Sequence, residues 1–153
     1  MNKNGMNKPL FSFEFFPPQT PEGVEKLVAT RKQLAALHPD FFSVTFGAGG
    51  STRERTLEVV QQIKAEGFEV APHLSCIGST RENIRDILQT YKQLGIRRIV
   101  ALRGDLPSGM ATTGEFQYAN ELVSFIRAQT GEHFHIEVAA YPEYHPQAKS
   151  PRE

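Results

Sequence analysis

Short apolar runs alternate with helix-period stripes along the whole chain. The strand-like runs are Leu10–Phe15, Phe41–Phe46, Val70–Leu74, Arg98–Leu102 and His135–Ala140. Near-continuous apolar runs of this length suit parallel strands covered on both faces. Four amphipathic stretches separate them. Thr20-Pro21-Glu22 supplies an N-cap, a proline at the first helical position and an acidic first turn, and Val24, Leu27, Val28, Leu34 and Ala35 form one stripe. Ser51-Thr52-Arg53-Glu54 reads as a capping box opening a helix with Leu57, Val60 and Ile63 inward and Gly67 as its stop. Ser79-Thr80-Arg81-Glu82 repeats the device ahead of Ile84, Ile87, Leu88, Tyr91 and Leu94, with Gly95 as the stop. Phe116, Ala119, Leu122, Val123 and Ile126 mark a fourth helix that ends before Gly131.

The predicted order is βαβαβαβαβ, an α/β fold with one βα unit about every 30 residues. Two architectures satisfy it. A doubly wound open sheet is complete with about five strands. A (β/α)8 TIM barrel needs about 250 residues, so on that reading this chain is a barrel truncated after about five strands. Residues 1–9 are expected to be a flexible N-terminus, and residues 10–153 the folded unit.

Composition narrows the function classes. The 153 residues carry 17 basic and 17 acidic side chains, a balance that argues against binding nucleic acid by phosphate neutralisation. With 39% hydrophobic and 22% charged residues the chain is expected to be globular. No apolar run approaches the ~20 residues that span a bilayer, and the first ten residues lack the apolar core of a secretory signal. The expectation is a cytoplasmic protein with no membrane partner. The single cysteine, Cys76, rules out an internal disulfide framework and a cysteine-rich zinc site.

Polar residues fall at the strand ends: Glu14, Thr45, His73, then Arg103-Gly104-Asp105, then Tyr141 and His145. Ligands of parallel α/β folds bind at the carboxyl ends of the strands, so these side chains are candidates for one converged site, although loops are polar for solvation alone. Glu14 sits in Phe11-Ser12-Phe13-Glu14-Phe15-Phe16. A carboxyl enclosed by phenylalanines loses hydration, which favours its protonated form and suits a general acid; the alternative is a glutamate that reaches solvent at the strand end. Gly47-Ala48-Gly49-Gly50-Ser51 reads as a tight βα turn, because Thr52 stands where a dinucleotide fingerprint needs its last glycine. Arg103 offers a rigid fork for phosphate or carboxylate, Gly104 permits close approach, and Asp105 accepts hydrogen bonds. The same tripeptide spells an adhesion motif, a reading that requires a secreted protein. His133 and His135 share a face if both are in the strand, but no third metal ligand is evident, and no metal is expected. Cys76 reads as a small buried hydrophobe and His38 as a solvated loop residue. His73 reads either as packing or as a ligand contact.

Five ordered motifs carry a family resemblance. Phe13-Glu14-Phe15-Phe16-Pro17-Pro18, Ser43-Val44-Thr45-Phe46-Gly47-Ala48, Ala71-Pro72-His73-Leu74, Ala101-Leu102-Arg103-Gly104-Asp105 and Ala139-Ala140-Tyr141-Pro142-Glu143-Tyr144-His145-Pro146 resemble methylenetetrahydrofolate reductase of the bacterial type, from about residue 10 onward. The resemblance implies a (β/α)8 barrel that binds FAD at the carboxyl ends of its strands. It implies reduction of 5,10-methylenetetrahydrofolate to 5-methyltetrahydrofolate with NADH or NADPH as electron donor, in one-carbon and methionine metabolism. Glu14 then matches the general acid and Asp105 the aspartate beside flavin and pterin. Thr45, His73, Leu102, Arg103, Gly104, Asp105, Tyr118, Ala119, Tyr141 and His145 match positions that hold FAD. Glu14, Thr45 and Asp105 match positions near the folate. The family's catalytic domain is about twice as long, so the last three strands and their ligands are missing from the resemblance. Two other readings follow from the short chain: a non-catalytic flavin-binding or assembly module, associating with copies of itself through open barrel edges, or a truncated gene product.

Overall fold

The computed structural model describes residues 9–46, 50–105, 114–141, 143–144 and 148–150. The elements are β1 (Ser12–Phe15), α1 (Pro21–Ala35), β2 (Phe41–Val44), α2 (Gly50–Ala65), β3 (Val70–Ser75), α3 (Arg81–Gln93), β4 (Arg98–Leu102), α4 (Ala119–Thr130) and β5 (His135–Val138). All five strands are parallel and lie in the order β1-β2-β3-β4-β5. A doubly wound sheet reverses its strand order at a switch point, and this sheet has no reversal. Consecutive neighbours joined by the right-handed crossovers of βαβ units place all the helices on one face, as in part of a TIM barrel.

The two faces of the sheet differ in chemistry. Residues opposite one another in a parallel register share a face. Phe15 pairs with Val44, Val44 with Pro72, and Leu74 with Ala101. This is the helix side, and Phe15, Phe42, Val44, Val70, Leu74, Ile99 and Ala101 pack there against Val60 and Ile63 of α2, Ile84, Leu88 and Tyr91 of α3, and Leu122 and Ile126 of α4. The other register line runs Glu14–Ser43–Ala71 and His73–Val100–Glu137. That face carries the polar side chains Glu14, Ser43, His73 and Glu137 beside Phe41 and Val100. Arg98 lies over the Phe41 ring at 4.6 Å and pairs with Glu137, which also approaches His135 at 3.2 Å.

Local signals set the helix ends with small displacements from the expected positions. Thr20 caps α1 by accepting from the Gly23 N–H at 3.1 Å, and Pro21 begins the helix. α3 is capped by Thr80, which accepts from the Asn83 N–H, and not by Ser79 as the capping-box reading expected. α2 starts at Gly50, so Ser51 lies inside the helix. Phe116 precedes α4 and is fully buried, packed edge-on against Phe125 at 5.5 Å. The α1 stripe is also different from its expected form. Val24 is exposed, and the one fully buried α1 side chain is Arg31. Its guanidinium donates to both Glu66 oxygens, at 2.9 and 2.5 Å, which supplies the partner a buried charge requires. β1 and β5 are the outermost strands and are the least covered, with Val138 at 58% exposure. No helix among the described residues is long and apolar enough to cross a membrane.

Glu66→Ala strands the Arg31 charge and is expected to cost about 3 kcal/mol in urea unfolding, whereas Arg31→Met combined with Glu66→Ala loses less than the single change.

Candidate functional site

Parallel pairing puts the carboxyl ends of all five strands along one border of the sheet, and the candidate residues divide into two groups there. The first is Glu14 with His73. They share the polar face two strands apart, and the residue between them at the level of Glu14 is Ser43, whose small side chain leaves the gap open. Glu14 Oε2 lies 3.1 Å from His73 Nε2, with His73 8% exposed and Glu14 51% exposed at the side chain. The approach is within ion-pair distance but outside hydrogen-bond alignment, and Nε2 is buried without an aligned partner. Burial holds the His73 pKa below its ordinary value of 6.5, while the neighbouring Glu14 carboxylate raises it by less. His73 is therefore a neutral imidazole near pH 7.

Enclosure of Glu14 by phenylalanines is corrected by strand alternation. Phe13 and Phe15 point to the other side of the sheet, where Phe15 stacks on Phe42 at 5.3 Å. The neighbours in sequence thus build the core, and the carboxyl reaches both solvent and the imidazole.

The second group surrounds a cleft of about 600 Å³ at the ends of β4 and β5. It is lined by Leu102, Arg103, Gly104 and Asp105 from β4, Ala119 from the start of α4, and Val138, Ala139 and Tyr141 from β5 and its extension. Glu143, Tyr144, Ala148 and Ser150 also line it. Volumes of this order hold small organic ligands, and a few polar groups in an apolar and aromatic wall fix their orientation.

The β4 turn rests on the end of β3. The Ser75 hydroxyl donates to the Arg103 carbonyl at 2.9 Å, the Ile77 N–H to the same carbonyl at 2.8 Å, and the Cys76 N–H to the Leu102 carbonyl at 3.2 Å. Gly104 has φ +83°, and a Cβ there would stand 1.9 Å from Ser75 Oγ. Both the backbone conformation and the lack of space require glycine. The chain returns to the same foundation further on. The Glu115 N–H donates to the Ser79 carbonyl at 3.2 Å, and its carboxylate accepts from the Arg81 N–H at 2.6 Å.

The other candidates take separate places. Thr45 follows β2, half-buried; its N–H donates to the Phe15 carbonyl and its carbonyl accepts from the Thr56 hydroxyl, both at 2.9 Å. Tyr118 is the N-cap residue of α4, exposed and beside the cleft without lining it. His145 and the Gly47–Gly49 turn lie outside the described residues. Cys76 is buried with its thiol pushed up to about 11, chiefly by burial, which leaves it protonated and unreactive. His133 and His135 do not form a pair. His133 Nε2 meets the Ile96 carbonyl at 3.2 Å and Nδ1 meets Arg97 at 3.0 Å, while His135 approaches Glu137. No group of three metal-ligating side chains occurs among the described residues. His38, exposed, is the one described non-glycine residue with positive φ.

Sequence reasoning passed over Glu143, Tyr144, Ala148 and Ser150 as cleft residues. The available signal was Tyr144 three positions beyond Tyr141, an aromatic in a proline-flanked extension with no core-facing period.

A sequential parallel sheet with a polar face and a cleft at its strand ends defines a barrel-type α/β protein whose carboxyl border holds the candidate site. The family model described as methylenetetrahydrofolate reductase matches residues 2–153, and the chain belongs to that family. It is 49% identical over 140 residues to the 5,10-methylenetetrahydrofolate reductase of Pectobacterium carotovorum, covering 91% of this chain and 46% of that protein. The Escherichia coli 5,10-methylenetetrahydrofolate reductase is 47% identical over the same length and share. A maize protein, methylenetetrahydrofolate reductase (NADH) 1, is 43% identical over 149 residues, 94% of this chain and 25% of that protein. The chain thus spans about half the length of the bacterial relatives it matches.

Because the buried imidazole binds its proton more weakly than in the unfolded chain, acidification below 6.5 loads the unfolded state first. Stability is expected to be full above that pH and to fall as pH drops towards the lower folded value; His73→Gln flattens this part of the curve in urea titrations across pH. Glu14→Gln is expected to lower the His73 midpoint further in an NMR titration, since the carboxylate is what holds it up.

Proposed function

We propose that this chain supplies the amino-terminal half of a flavin-dependent active site that reduces 5,10-methylenetetrahydrofolate to 5-methyltetrahydrofolate with NADH or NADPH. The observation that carries the reading is the convergence of Leu102, Arg103, Gly104, Asp105, Ala119 and Tyr141 on one cleft, beside a strand border that also presents Glu14 and His73. These are the positions that match flavin-holding and folate-contacting positions of the family. FAD, when bound, supplies hydride transfer. The residues present fit such a group. Tyr141 and Tyr144 offer flat faces, Arg103 a guanidinium for phosphate oxygens, and Gly104 a backbone that a ligand can approach closely.

The chain's own contribution to the chemistry is a proton and its placement. In its protonated form Glu14 donates to the folate nitrogen that leaves when the imidazolidine ring opens and becomes the carboxylate, which makes that nitrogen a viable leaving group and the one-carbon unit an electrophile. His73, neutral and 3.1 Å away, borders the carboxyl without adding positive charge to it. Asp105, at the cleft, places negative charge beside the ligand and accepts hydrogen bonds from a heterocycle. Thr45 stands at the β2 end as a further polar contact for folate or nicotinamide.

Titration of the chain with FAD, followed by quenching of flavin fluorescence, is expected to saturate, with Tyr141→Ala weakening binding about tenfold through loss of an aromatic wall; no binding by the unaltered chain would sink the reading. The isolated chain is expected to oxidise NAD(P)H weakly or not at all. In a protein completed to the length of its bacterial relatives, Glu14→Gln is expected to remove folate reduction and leave flavin reduction by NAD(P)H intact, so equal loss of both half-reactions would assign Glu14 a structural role.

A further inference from the structure

We propose that Ser75 is a positioning residue for the candidate cofactor site: its hydroxyl, donating to the Arg103 carbonyl, sets the orientation of the Arg103–Gly104–Asp105 turn that forms one wall of the cleft. The inference rests on the functional reading above and adds a residue that does not itself line the cleft.

Ser75 is the last residue of β3, buried, and opposite Leu102 in the β3–β4 register. Beyond this pair the strands end, and ordinary ladder pairing gives way to a small network centred on one oxygen. The Arg103 carbonyl accepts from the Ser75 hydroxyl at 2.9 Å and from the Ile77 N–H at 2.8 Å, with the Cys76 thiol 3.7 Å away. Donors on β3 and its extension therefore hold this carbonyl on the β3 side of β4. The described chain has no cis peptide bond, and in a trans peptide the N–H points opposite to the carbonyl. The Gly104 N–H thus faces away from β3, towards the side where Val138, Ala139 and Tyr141 bound the cleft. Rotating this one peptide would turn the N–H away from that side of the turn.

Gly104 and Ser75 are sterically interlocked. The position a Cβ would take at residue 104 lies 1.9 Å from Ser75 Oγ and 3.0 Å from Ile77 Cγ2. The hydroxyl occupies the space that the glycine leaves open. A serine at the strand end thereby supplies both the hydrogen bond that fixes the turn and the bulk that the turn is built around. Arg103 adds a contact within the turn, Nε to the Gly104 carbonyl at 3.1 Å.

The test compares Ser75→Ala, which removes the hydroxyl, with Ser75→Thr, which keeps it. In the flavin-free chain, amide exchange at Ile77 is expected to quicken about three- to tenfold in Ser75→Ala, the factor for loss of one hydrogen bond, and to return to within about twofold of the unaltered chain in Ser75→Thr. FAD affinity is expected to follow the same order, and the visible absorption of bound flavin to shift in Ser75→Ala and not in Ser75→Thr, with circular dichroism showing the fold retained. Unchanged Ile77 exchange in Ser75→Ala, or exchange as fast in Ser75→Thr as in Ser75→Ala, overturns the role of Ser75. Failure of the unaltered chain to bind FAD overturns the functional reading instead, and the exchange comparison still decides whether Ser75 sets the turn.

Discussion

Main-chain pairing of parallel strands in strict chain order is the constraint on which the rest of the structure depends. It gives every strand the same direction, so every strand end falls on one border. It also fixes which side chains share a face, because opposite residues in register point the same way. The apolar face that carries Phe15, Val44, Leu74 and Ala101 meets the helices, and the face that carries Glu14, Ser43, His73 and Glu137 does not. The site is a product of this division. Residues that the core does not need are gathered where a ligand can reach them.

Within that frame the two halves of the candidate site are held by different forces. Glu14 and His73 meet through side chains alone, with burial of the imidazole opposing its charge and the carboxylate favouring it. The β4 turn is held mostly through backbone, by donors at the end of β3 that extend pairing beyond the regular strand. Thr80 and Ser79 at the entry to α3 hold two further segments, the first turn of α3 and the approach to α4. The connection from β3 to α3 is thus the base for both arms of the β4–α4 loop.

Much of this was legible in the residues. The apolar run Arg98–Leu102 predicts β4 and β4 stands there, and the order of five strands and four helices follows from alternating periods. The choice between an open doubly wound sheet and a barrel arrangement was not legible from spacing, because both use the same βα unit; the strand order decides it. Glu14 shows why local context misleads. Its phenylalanine neighbours suggested an apolar pocket, but a strand sends adjacent side chains to opposite faces, so sequence neighbours are not spatial neighbours. Arg31 was hidden for a related reason. A charged residue inside an apolar stripe reads as solvent-facing until Glu66, 35 positions away, is brought beside it. The α3 cap lies one residue on from its expected place because Thr80 and Ser79 offer the same chemistry, and only backbone geometry chooses between them.

The sequential order of the sheet also has a temporal side. Each strand's partner lies 27 to 37 residues back along the chain, one βα unit away, and no pairing waits for a distant segment. Each unit can pair with the strand that precedes it, so the sheet can lengthen one unit at a time as the chain is made, and its contacts are of low sequence separation. The contact between the imidazole of β3 and the carboxylate of β1 needs only the first three strands, whereas the cleft needs the fourth and fifth.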